Sequence, residues 1–155
     1  MCAAAEIQPS VLVFQSLVFD TTWKEWEESD AEPPIALGGD IATYLAACLR
    51  EKGITILHDA ECDAEHGDWN FSVAHRDVKY NVSVGRDRIG RSSDDVWIVQ
   101  LRKRVGCTGG ILELFGRRDF EDVQPVREVL DEIVADDATF TDIRWLSFRE
   151  FISAH

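Results

Sequence analysis

Residues 69–84 read Trp69-Asn70-Phe71-Ser72-Val73-Ala74-His75-Arg76-Asp77-Val78-Lys79-Tyr80-Asn81-Val82-Ser83-Val84. Trp69, Phe71 and Val73 alternate with Asn70, Ser72 and Ala74, and Tyr80, Val82 and Val84 alternate with Lys79, Asn81 and Ser83. A period of two sends successive side chains to opposite faces of a strand, so each arm carries one apolar and one wet face. Joined by a turn over residues 75–77, the arms predict an antiparallel hairpin.

Working outward, the next strand is read over residues 96–105. Trp97, Val99 and Leu101 share a face, and Gln100, Arg102 and Arg104 follow Val96 and Ile98 on the other. With the loop of Gly, Arg, Asp and Ser at 85–95, this makes a meander. Upstream, residues 35–53 hold the clearest helix: Ile41, Tyr44, Leu45, Cys48 and Leu49 fall on one stripe, with Asp40 at its start and Gly53 at its end. Cys48 sits inside that stripe, which reads as a packed thiol rather than a nucleophile. A short strand at 54–57 leads into the polar run 58–68.

At the N-terminal side, 11–19 reads as a strand rich in Val and Phe. Downstream, 106–119 has no clear period. Asp122 then looks like an N-cap with Pro125 in the first turn of a second helix, whose stripe is Val123, Val126, Leu130, Ile133 and Val134. A last strand is expected over 141–151. The fold class that follows is α+β: an antiparallel meander of four to six strands with two amphipathic helices packed on one face. The other face, bearing Asn70, Ser72, Lys79, Asn81, Ser83, Arg102 and Arg104, then meets solvent or a partner.

The chain has 155 residues, 45 % apolar and 29 % charged, which fits one folded domain with an irregular acidic segment at 20–34. No apolar stretch reaches the roughly 20 residues of a membrane span. No secretory signal is visible, and the four cysteines show no CxxC pairing, so reduced thiols and a cytoplasmic location are expected. Acids outnumber bases 29 to 16, giving a net charge of -13. Nucleic-acid binding is disfavoured on that balance, because phosphates call for surplus Lys and Arg. The charge is also segregated: residues 1–75 carry 14 acids against 3 bases, 76–118 carry 5 against 10, and 119–155 carry 10 against 3. Such an order either neutralises itself within the fold or leaves separate acidic and basic surfaces.

Little of the sequence specifies chemistry. His58, Cys62 and His66, spaced by four among Asp59, Glu61, Asp63, Glu65 and Asp68, have the residue types of a zinc site. Their spacing matches no familiar zinc signature, and the segment reads as a solvated acidic loop. There is no GxSxG, and Gly106-Cys107-Thr108-Gly109-Gly110 matches neither phosphate-loop pattern. The order of elements from about residue 35 to 146, marked by Asp68-Trp69-Asn70-Phe71, Trp97-Ile98-Val99 and Asp142-Ile143-Arg144-Trp145, resembles a loose group of small bacterial α+β proteins. Some of these look like the immunity partners of interbacterial toxins, which implies a non-enzymatic inhibitor without cofactor.

The charge fits that implication, since an acidic surface is steered rapidly onto a basic toxin domain. The expected contact residues are Trp23, Glu25, Trp26, Glu27, Glu28 and Asp30 of the first acidic segment, with Asp59, Glu61, Asp63 and Glu65 of the second. The alternative is a small enzyme or a ligand- or metal-binding protein. It would use a pocket between helices and sheet, or the His58, Cys62, His66 set. An assembly subunit is a third reading.

Overall fold

A computed structural model describes residues 8–16, 38–63, 68–88, 95–104 and 122–153. In chain order these form β1 (Val11–Ser16), α1 (Gly39–Glu51), β2 (Thr55–Cys62), β3 (Trp69–His75), β4 (Val78–Arg88), β5 (Asp95–Lys103), α2 (Gln124–Asp136), β6 (Phe140–Leu146) and α3 (Phe148–Ser153). The six strands make one antiparallel sheet in the order β2-β3-β4-β5-β1-β6. The α+β class, the meander and the two helices on one face are therefore observed. The first strand joins the sheet beside β5, and β6 closes the edge beyond it.

Local sequence accounts for each boundary. In the hairpin, His75 pairs with Val78, and Arg76 and Asp77 both adopt positive φ, 49° and 64°. That is the two-residue turn whose twist matches the flanking strands. Helix α1 ends on Gly53, at φ 91°, with Gly53 N–H donating to the Arg50 carbonyl and Ile54 N–H to the Leu49 carbonyl. The pair of bonds is a Schellman cap, and Ile54 buries its side chain beyond it. At the start of α2, Pro125 occupies the first turn, and Asp122 Oδ1 accepts from Gln124 N–H at 3.1 Å. Asp122 thus satisfies one of the free amides of the helix start, although the N-cap position itself is Val123.

Both long helices lie on the face formed by Leu12, Phe14, Phe71, Val73, Tyr80, Val82, Val84, Trp97, Val99 and Leu101. They contribute Ile41, Leu45 and Leu49 from α1, and Val126, Leu130 and Val134 from α2. Burying a Leu or Val side chain contributes about 1.5–3 kcal/mol, so this layer dominates stability. Phe14 and Phe140 meet edge to face at 4.9 Å between ring centres. Of the stripe on α1, Tyr44 and Cys48 are half-buried at its margin, and Cys48 is a free thiol packed against the core.

Two elements differ from the sequence expectation. The last strand stops at Leu146, and Ser147 opens the short helix α3: its Oγ accepts from Glu150 N–H, while Glu150 Oε1 accepts from Ser147 N–H. This reciprocal capping box ends the strand where an apolar run suggested continuation. Phe151 of α3 covers Val11, Val13, Val96 and Ile98 on the second face of the sheet. The short strand expected at 54–57 in fact runs to Cys62, as the edge strand β2.

Candidate functional site: the polar half of the sheet

Among the described residues, the second face is packed by helix α3 over β1 and β5. Over β2, β3 and β4 that face carries the polar side of the hairpin. Register places Asn70 opposite Ser83, Ser72 opposite Asn81, Ser83 opposite Gln100, and Asn81 opposite Arg102. Asn70, Ser72, Asn81 and Ser83, with Lys79, are the wet face that the alternation of residues 69–84 predicts, and Gln100 and Arg102 continue it on β5. Ser72 Oγ donates to Asn81 Oδ1 at 3.2 Å.

Strand β2 extends this face outward. Its register slips twice against β3, between Ile56 and His58 and between His58 and Glu61. Each slip inserts one extra residue, so His58 faces Ser72 and Glu61 faces Asn70, three apart yet on the same side. Asp59 lies between them with its side chain 93 % exposed, 3.7 Å from Arg50 Nη2. Beyond the strand, Asp63 N–H donates to the Asp68 carbonyl at 2.7 Å, which draws Asp63 and Asp68 together at the same end of the sheet. His58, Asp59, Glu61, Cys62 and Asp63 line an open depression of about 390 Å³ with Ser72 and Asn81.

A second, smaller recess lies beside it, bounded by Asp68, Ser83, Gly85, Ile98, Gln100 and Phe151. A Cβ on Gly85 would run into Oδ1 of Asp68, so glycine is what lets that carboxylate lie against β4. Arg86 borders the recess, while its guanidinium carbon lies 5.5 Å from the centre of the Trp97 ring. At the opposite end of the strands Lys79 and Arg104 are exposed, joined through the bond from Arg104 N–H to the Lys79 carbonyl. Glu61, Asp63 and Asp68 thus stand toward one end of the strands, with Arg86, and Lys79 and Arg104 toward the other, with Asp77 in the adjoining turn.

Of the residues singled out in the sequence, Asp59, Glu61 and Asp63 come together here. Trp23, Glu25, Trp26, Glu27, Glu28, Asp30, Glu65 and His66 lie outside the described residues, as does the loop 106–110. His58 and Cys62 are on a strand rather than a helix or loop. The register sets them against Ser72 and Trp69, so the alignment that a spacing of four gives on a helix is lost. Among the described residues no group of three or more His, Cys, Asp or Glu could hold a metal ion. Asp68 was legible as part of the acidic run 58–68 and Gln100 as a residue of the second face of its strand, whereas Gly85 was read only as part of the loop 85–95.

The arrangement defines an open, polar, charge-divided sheet face beside an acidic edge strand. Comparison with family models, with curated proteins and with solved structures finds no match. No helix among the described residues is long and apolar enough to cross a membrane.

Proposed function

We propose that this chain is a non-enzymatic, acidic binding protein that neutralises or escorts a basic protein partner, of the kind formed by toxin-immunity pairs. The observation that carries the reading is the polar half of the sheet, where Asp59, Glu61 and Asp63 stand at the edge strand or just beyond it, beside a row of Asn and Ser side chains. An edge rich in carboxylates steers a basic partner and accelerates encounter. The polar row behind it offers donors and acceptors that fix orientation once the partner has arrived. The net charge of -13 supports the same reading at the level of the whole chain.

The test begins with the protein that co-purifies with the full chain from its native cells. Expressed alone that protein should arrest growth of a host, and co-expression of this chain should restore it. Restoration that persists undiminished in the Asp59→Lys, Glu61→Lys double variant would count against the proposed surface, and a co-purifying partner with no effect on growth would remove the neutralising role.

A further inference from the structure

Resting on that reading, we infer that His58 makes docking of the basic partner at the edge of β2 pH-sensitive, favouring the complex at pH 7.5 and its release toward pH 5.5. His58 is exposed on β2 and lines the depression of about 390 Å³ together with Asp59, Glu61, Asn70, Ser72 and Asn81. The two register slips of β2 put it opposite Ser72 and on the same side as Glu61, so its imidazole belongs to the surface where the acidic edge meets the partner. Histidine is the side chain whose charge ordinarily changes between pH 5 and 8. Protonation here adds a positive charge among the carboxylates that attract the partner.

The groups around His58 set the sign of the effect. Asp59, Glu61 and Cys62 accompany it on β2, and Asp63 follows just beyond the strand. Strands β3 and β4 present only neutral groups to the depression: Asn70, Ser72 and Asn81, the last two hydrogen-bonded to each other. Helix α1, which packs against β2, contributes Arg50, 3.7 Å from Asp59. Among the described residues His58 is the one histidine lining the depression. Carboxylates ordinarily stay ionised between pH 7.5 and 5.5, so the change of charge at this edge falls to the imidazole. Because the side chain is exposed, salt screens the effect, which is largest at low ionic strength.

A defined basic probe tests this without the partner. Nα-acetyl-hexalysine amide, whose lysines keep their charge throughout the interval, is titrated at low ionic strength into the isotopically labelled full chain at pH 7.5, 6.5 and 5.5. Dissociation constants are read from the amide shifts of Asp59 and Glu61 for the wild type, His58→Gln and His58→Lys. Affinity relative to wild type should rise about threefold from pH 7.5 to pH 5.5 in both variants, since only the wild type carries a titrating group at position 58. At pH 7.5, His58→Lys should bind about threefold more weakly than His58→Gln. Ratios that stay constant with pH would overturn the inference and leave the acidic edge standing. Equal binding of the probe by the wild type and the Asp59→Lys, Glu61→Lys variant, or shifts confined to other faces, would instead remove the docking surface and the inference with it.

Discussion

Tyr44 and Asp137 show how one polar pair is tuned in this fold. The Tyr44 hydroxyl donates to Asp137 Oδ2 at 2.6 Å, tying α1 to the turn after α2. This bond, then the Thr139 backbone N–H, holds the Asp137 carboxyl below its ordinary range, and the same bond holds the Tyr44 hydroxyl above its own. A carboxylate whose folded pKa is depressed contributes stability that is present above its unfolded pKa, about 3.9, and is lost as pH falls through the lower folded value. A tyrosine whose folded pKa is raised contributes stability that is present below about 10 and is lost as pH rises further. Tyr44→Phe should therefore cost about 1 kcal/mol near neutral pH, a modest value because solvent reaches the pair. Urea unfolding at several pH values checks this. The gap between wild type and variant should narrow below about pH 4, and a gap that is constant down to about pH 2 would contradict the assignment.

At the scale of elements, the β3–β4 hairpin joins regular strands through a turn with one poor residue. Arg76 and Asp77 hold left-handed backbone, which costs a residue such as Arg about 1–2 kcal/mol, Asp or Asn less, and Gly least. The double substitution Arg76→Asn, Asp77→Gly should raise stability by about 1 kcal/mol, allowing for the extra chain entropy of glycine. An unchanged or lower denaturation midpoint would mean that the turn is not the two-residue type described. The hairpin itself was legible in the sequence because a wet face and a dry face alternate along both arms between Trp69 and Val84. Helices α1 and α2 were legible for the same reason, through their stripes and caps.

Strand β2 beyond Leu57 was not legible, and the cause is physical. Its two bulges break the period of two, and among residues 58–62 the core receives only Ala60. An edge strand with a charged, irregular outer half resembles a loop in sequence, and those same devices keep edges from aggregating. Helix α3 was missed because its capping box begins at Ser147, within an apolar run that alternation alone carries onward. The polar face was legible from the hairpin. The recess beside Asp68 was not, since it depends on Gly85 lying beneath a carboxylate 17 residues earlier. No local pattern encodes that meeting.

For the molecule as a whole, charge is segregated twice. Along the chain, acidic ends flank a basic middle. Across the open sheet face, Glu61, Asp63 and Asp68 stand at one end and Lys79 and Arg104 at the other. Internal offset absorbs part of this: Lys52 Nζ meets Glu132 Oε1 at 2.8 Å, and Arg50 meets Asp59 at 3.7 Å. These exposed ion pairs are individually worth little to stability, so their loss should affect encounter more than folding. On the proposed function, the acidic edge of β2 brings a basic protein partner to this face. The direct measurement is the association rate of the co-purifying partner with the wild-type chain and with the Asp59→Lys, Glu61→Lys variant, taken across a range of ionic strength. A fall of about tenfold at low salt is expected, with a flatter salt dependence and an unaltered denaturation midpoint. Identical association rates at every ionic strength would contradict it.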